Sequence, residues 1–140
     1  MPELVRFGVS MEKELSEEFE KYRVKKGYSN RSETLRRLIR NAFVEEDWSE
    51  GRDVAGAITL VYDHHRREIL NKITGIQHDF QTRIISTQHI HLDHNNCLEI
   101  IAVKGKPSEI NKLADKLKSI KGVDHGTLSM TAIGKKKRRM

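Results

Sequence analysis

The stretch Thr87-Gln88-His89-Ile90-His91-Leu92-Asp93-His94-Asn95-Asn96-Cys97-Leu98-Glu99-Ile100 decides how the second half of this 140-residue chain folds. Residues 82–92 and 97–104 read as strands, and Asp93-His94-Asn95-Asn96 between them supplies turn chemistry. The pattern predicts a hairpin. Strand side chains alternate between faces, so His89 and His91 point the same way, and the turn brings Cys97 back beside them. Two imidazoles and a thiol arranged so are most of a transition-metal site. Each has a plainer reading alone, since a lone histidine is more often structural and a single cysteine often serves as a small buried hydrophobe. A His-x-His facing a Cys across a turn favours metal. On spacing alone the fourth ligand is open among His78, His94, His64, His65 and His125. So is the geometry, tetrahedral for zinc or square-planar for nickel or copper(II).

Outward from the hairpin the chain alternates strand and helix. Val54–Tyr62 is strand-like, with Ile58, Leu60 and Tyr62 on one face. Residues 64–77 read as a helix with Ile69, Ile73 and Ile76 as its stripe. In Cys97–Lys104, Leu98, Ile100 and Ala102 oppose Ile101 and Val103. Pro107-Ser108 opens a helix carrying Ile110, Leu113, Ala114, Leu117 and Ile120, Gly122 ends it, and 123–133 is the last strand. The order β-α-β-β-α-β is ferredoxin-like, and with a helical N-terminal part the class is α+β.

The N-terminal third has a different pattern. Val5, Phe7 and Val9 alternate with Arg6, Gly8 and Ser10 in a short strand, followed by a helix over about 12–26 with Leu15, Phe19 and Tyr22. Asn30-Arg31-Ser32-Glu33 has capping-box spacing, with Asn30 as cap and Glu33 reaching back. A second helix to about Val44 bears Leu35, Leu38, Ile39, Ala42 and Phe43. One such strand has unpaired edges; two copies pairing antiparallel would satisfy them and present Arg6, Gly8 and Ser10 twice. A two-stranded ribbon fits the DNA major groove, where Arg6 can pair with guanine, and the helix start at Asn30 and Arg31 suits a phosphate. The plainer alternative is a dimerisation element with a solvated outer face.

Composition narrows the class. Hydrophobic residues are 36% and charged residues 33%, as in a water-soluble protein with a modest core. No apolar run approaches the ~20 residues that cross a bilayer, and the start lacks the regions of a signal peptide, so the cytoplasm is the expected compartment. One cysteine excludes an internal disulfide framework. The net charge of +6 is unevenly spread and is poor evidence for nucleic-acid binding: residues 45–53 hold five acids and one arginine, and Lys135 to Arg139 are all basic. The acidic stretch reads as a linker, with Trp48 docking on a neighbour. The expected domains are 1–44, a linker at 45–53, a second domain at 54–134 and a basic tail at 135–140.

Two resemblances sharpen this. Strand–helix–helix order with Gly27-Tyr28-Ser29-Asn30-Arg31-Ser32-Glu33 resembles the ribbon-helix-helix repressors over residues 4–44. The run Ile76-Gln77-His78 with 87–100 resembles the nickel-responsive regulator family (NikR), over nearly the whole chain, with a sensor domain of the ACT type. That resemblance implies a planar nickel(II) site of His89, His91 and Cys97 from one subunit and His78 from the facing one, with Glu99 supporting the ligands from behind and His94 a bystander. It implies a homotetramer, a dimer of dimers, whose paired ribbons read a double-stranded operator built as an inverted repeat, as a repressor of nickel uptake. Two positions depart from the family pattern: Gly8 stands where relatives often carry a side chain, and Arg37 where some members place an acid in a secondary cation site. Four ligands fill a planar site and leave no open position for catalysis, so neither an enzyme nor a small organic substrate is expected. The alternatives are a metal storage or delivery protein, which leaves residues 1–44 unused, and a DNA-binding regulator with a non-metal effector, which leaves the His–Cys set idle.

Overall fold

The computed structural model describes residues 2–134 and divides into two compact units, with the boundary after Ala42. The basic tail at 135–140 lies outside the described residues.

In the first unit, residues 2–12 form no strand within the single chain, where the sequence expectation was a strand completed by a second copy. The reason is physical: a strand is completed by ladder hydrogen bonds, and among the described residues this segment has no strand beside it. Its apolar side chains stand in the open, Val5 at 81%, Phe7 at 75% and Val9 at 53% exposure. Helix α1, Lys13–Lys26, follows, and Gly27 closes it at φ 74°. In this left-handed turn the Gly27 and Tyr28 N–H groups donate back to the carbonyls of Val24 and Arg23, which satisfies the helix end. Helix α2 spans Arg31–Glu50. Asn30 Oδ1 accepts the Glu33 N–H at 2.8 Å, so the cap forms as read. The reciprocal half of the capping box does not. Instead of reaching back, the Glu33 carboxylate accepts hydrogen bonds from Arg36 (2.7 Å) and Arg37 (2.8 Å), which lie one turn along on the same face.

Helix α2 also corrects the linker. Residues 45–50 are helical rather than irregular, and the chain turns only at Gly51, φ 77°. Glutamates favour a helix as readily as a linker, and Trp48 gives this last stretch something to pack on. Trp48 is buried and donates its indole N–H to the Thr131 carbonyl at 3.0 Å.

The second unit is a four-stranded antiparallel sheet with two helices. Strands β1 (Val54–Asp63), β2 (Ile84–His91), β3 (Asn96–Gly105) and β4 (Val123–Thr131) lie in the order β2-β3-β1-β4. Helix α3 (Arg67–Asp79), extended by a 3-10 turn at Gln81–Arg83, links β1 to β2; helix α4 (Pro107–Lys118) links β3 to β4. This is the ferredoxin-like order expected. One sheet face is the core: Val54, Ile58, Leu60 and Tyr62 from β1, and Cys97, Glu99, Ile101 and Val103 from β3, alternate inward. Ile69 and Ile73 of α3, with Ile110, Leu113, Ala114 and Leu117 of α4, complete it. Fully burying one such large apolar side chain is worth roughly 1.5–3 kcal/mol, so this face dominates the stability of the unit. It also fixes the register, because a slip of one residue would turn every inward side chain outward.

Candidate metal centre

Register places the site. Across the sheet, Cys97 pairs with Tyr62 on one side and His91 on the other; one step along, Glu99 pairs with Leu60 and His89. Paired residues share a face, so His89, His91, Cys97, Glu99 and Tyr62 all stand on the helix-covered side. Strand β3 lies inside the sheet, and Cys97 and Glu99 are each 1% exposed. Strand β2 is the edge, which leaves His89 and His91 open to solvent.

Glu99 organises the cluster. A buried carboxylate is costly unless hydrogen-bonded. Here the Tyr62 hydroxyl donates to Oε1 at 2.6 Å, and Gln77 Nε2 donates to Oε2. Oε1 also lies 3.3 Å from His89 Nε2. Burial, and then the Glu99 carboxylate beside it, push the Tyr62 phenol far above its ordinary range, so this hydroxyl stays protonated and donating. With Nε2 against Glu99, the other ring nitrogen of His89, Nδ1, faces the Cys97 thiol at 3.9 Å. Tyr62 OH is 3.5 Å from the same nitrogen, but its proton is directed to Glu99, which leaves the Nδ1 lone pair available. A carboxylate behind an imidazole, with the opposite nitrogen beside a thiol, is the donor arrangement a soft-to-borderline transition metal takes. The residues therefore fit nickel(II).

Of the other sequence candidates, His64 lies against the cluster and the rest stand further off. The His91 ring stacks on His64 at 4.5 Å and 12°; His65 lies against both His64 (4.1 Å) and His94 (5.2 Å). His125 sits on β4, at the opposite edge of the sheet. His78, in the last turn of α3, is exposed in the groove formed with Thr74, Gln77, Gln81, Ile84, Ser86 and Thr87. Successive helix residues are about 100° apart, so when Gln77 turns in to Glu99, His78 turns out. Within one chain, then, His89, His91, Cys97 and Glu99 come together, and His78 stands apart from them. Tyr62 and Gln77, the partners of Glu99, were not identified from sequence. The alternation of β1 had placed Tyr62 on the inner face, whereas nothing local to Gln77 marked it.

In the first unit, Arg6, Gly8 and Ser10 are exposed in the segment before α1, which has no regular structure. Arg6 shares a groove with Leu4, Val5, Phe7, Ser32, Leu35, Arg36 and Ile39. Arg31 is 3.5 Å from Glu20, and Asn30 is engaged as the α2 cap.

A ferredoxin-like unit with a buried thiol, a His-x-His edge and a carboxylate behind it has the donor set of a metal-binding domain. The family described as NikR C terminal nickel binding domain matches residues 55–131. Proteins named as nickel-responsive regulators are similar along almost their whole length. That of Syntrophus aciditrophicus is 55% identical over 96% of this chain and 98% of its own. That of Chlorobium limicola is 53% identical over 96% and 100%, and that of Geobacter sp. strain M21 is 50% identical over 96% and 97%. An uncharacterized Thermotoga maritima protein of known structure shares the fold over 59% of this chain and 100% of its own, at TM-score 0.50 and 17% identity. The chain belongs to the nickel-responsive regulator family, NikR, and its second unit carries the nickel-binding domain of that family.

Proposed function

We propose that this nickel-responsive transcriptional regulator holds Ni(II) with His89, His91 and Cys97 of one chain and His78 of a partner subunit, and that occupancy favours operator binding by the N-terminal units. The observation that carries the ligand assignment is the placement of His89 between Glu99 and Cys97, with Nε2 at 3.3 Å from the carboxylate and Nδ1 at 3.9 Å from the sulfur. Glu99 holds the ring, Tyr62 and Gln77 hold Glu99, and burial of Cys97 keeps water from the sulfur. The outward position of His78 suits a ligand given to a neighbouring chain rather than to its own. When bound, the ion supplies bonds that tie one chain to another.

The same reading makes the assembly a homotetramer, a dimer of dimers, in the cytoplasm. No described helix is long and apolar enough to cross a membrane. Extended segments from two chains pair as a ribbon, burying Val5, Phe7 and Val9 and presenting Arg6, Gly8 and Ser10 to one half of an inverted repeat, with Asn30 and Arg31 near phosphates. Nickel acts on DNA affinity only through a difference between conformations of the assembly. Expected activity is repression of nickel uptake, without catalysis.

The test is a nickel titration followed by absorbance, beside Cys97→Ala. A thiolate-to-nickel charge-transfer band that saturates with the first metal equivalent per chain, and is absent in the variant, supports the ligand set. A wild-type protein without the band overturns it. Nickel-dependent affinity for an operator duplex, falling steeply with salt as counterions are released, tests the DNA half.

A further inference from the structure

The last turns of α2 are built into the second unit. Val44 and Trp48 stand one turn apart on the same side of the helix, and both pack against the core of that unit. The Trp48 ring lies over Gly56 of β1, where a Cβ would stand 3.5 Å from the indole and 2.7 Å from the Ser129 carbonyl oxygen, so glycine suits this close approach. The indole N–H holds the Thr131 carbonyl, at the end of β4. The helix then stops cleanly. Gly51 turns left-handed, and the Arg52 N–H donates back to the Asp47 carbonyl at 3.0 Å, the bond that closes a Schellman end. Arg52 Nη1 also reaches Glu50 at 2.8 Å and Asp47 at 3.2 Å. These ion pairs are exposed and weak, so the buried Trp48 is the main hold. Only residues 51–53 separate α2 from β1, and a connection this short has little slack. Tyr62, which donates to Glu99, lies on the same face of β1 as Gly56, about 20 Å further along at ~3.3 Å per residue.

We propose that Trp48 clasps the end of α2 to β1 and β4, so that a change in β1 at the metal centre passes into α2 as unbroken helix instead of being lost in a flexible linker. Residues 31–42 of this helix belong to the first unit, and Phe43 onward to the second. Arg31–Glu50 contains neither glycine nor proline, so nothing local kinks or breaks it between the two parts. A response of the first unit to nickel needs a physical element whose state the ion can bias, and the clasped helix is that element. This role rests on the nickel response proposed above; the clasp itself exists without the ion.

Amide hydrogen exchange of the full-length chain, with and without Ni(II), tests this beside Trp48→Ala and Trp48→Phe. Without the ion, Trp48→Ala is expected to speed exchange over residues 46–52 about tenfold or more, while the amides of β1 and β3 stay protected and show that the unit is folded. Trp48→Phe keeps a buried ring but loses the bond to Thr131, and should fall between; if Trp48→Ala does not fold, Trp48→Phe carries the comparison. Ni(II) is expected to slow exchange over residues 36–42 in the wild type. In Trp48→Ala that slowing is lost, although the variant still takes up the ion. Exchange over 46–52 within about twofold of the wild type in the folded variants overturns the proposal. So does slowing over 36–42 that is absent from a nickel-loaded wild type, or that persists in Trp48→Ala. If the wild type takes up no nickel, the nickel-responsive reading fails instead, and the comparison without the ion still decides whether Trp48 is a clasp.

Discussion

The Glu99 carboxylate lies 3.3 Å from His89 Nε2 and accepts the Tyr62 hydroxyl through the same oxygen, so one buried group both abuts the His89 ring and is itself held in place. Removing the charge while keeping the shape, Glu99→Gln, is expected to weaken nickel binding by about 10–100-fold, the range for groups that support a metal ligand from behind. Glu99→Leu additionally strands the Tyr62 hydroxyl and the Gln77 amide, at about 1–3 kcal/mol each where burial is complete. Calorimetry for the ion and thermal melts for the fold separate the two effects. Wild-type nickel affinity in Glu99→Gln would show that the carboxylate does not act on His89.

His78 and His89 supply a test of where the fourth ligand comes from. His78→Ala and His89→Ala should each lose nickel binding when pure. If the site crosses subunits, co-refolded mixed assemblies regain intact sites: a chain with His89 meets one with His78. The charge-transfer band then returns to a fraction of the wild-type intensity. A mixture as silent as its parents means that each site draws on one chain only.

Trp48, the only tryptophan in the chain, lets the second unit report on its own unfolding. It is buried, and its ring lies 3.5 Å from where a Cβ on Gly56 would stand. Trp48→Ala is expected to cost about 3–5 kcal/mol. Trp48→Phe keeps much of the buried area but loses the bond to Thr131, and is expected to cost less, about 1 kcal/mol for the bond plus the smaller ring. Denaturant titration followed by circular dichroism measures both. A Trp48→Ala cost under 1 kcal/mol would mean that the end of α2 is an ornament to the fold.

Glu33 carries a pH signature at the start of α2. Hydrogen bonds from Arg36 and then Arg37 lower its carboxyl from an ordinary 4.5 to about 2. A carboxyl depressed in the folded state stabilises above its ordinary value, and that contribution is lost as pH falls from about 4.5 through about 2. Glu33→Gln should therefore melt below the wild type at pH 7, with the gap closing toward pH 2. A gap that holds constant across that range would assign the effect to something other than ionisation.

Much of this was legible locally. Alternation along β1 and β3, the Asp93–Asn96 turn and the helical stripes are set by neighbours a few residues apart, and they yielded the β-α-β-β-α-β order. The spacing of His89, His91 and Cys97 belongs to the same class, because period two and a tight turn leave those side chains together. The sequence was less informative where two local readings compete. Residues 45–50 are acidic enough for a linker and helical enough for α2, and packing of Trp48 goes with the helix. The capping box was half right because Arg36 and Arg37, one turn away, compete for Glu33 with the backbone N–H it was expected to reach.

By itself, then, the amino-acid order determined the strands and helices of the second unit, their sequence, and the grouping of His89, His91 and Cys97 on one face of the hairpin, since these follow from backbone periodicity and turn chemistry. Only the tertiary structure decided that Tyr62 and Gln77, 37 and 22 residues from Glu99 in the chain, converge on its carboxylate. Those meetings depend on the register of three strands and the seating of α3. That register is a property of the whole buried face, which no short stretch of sequence contains.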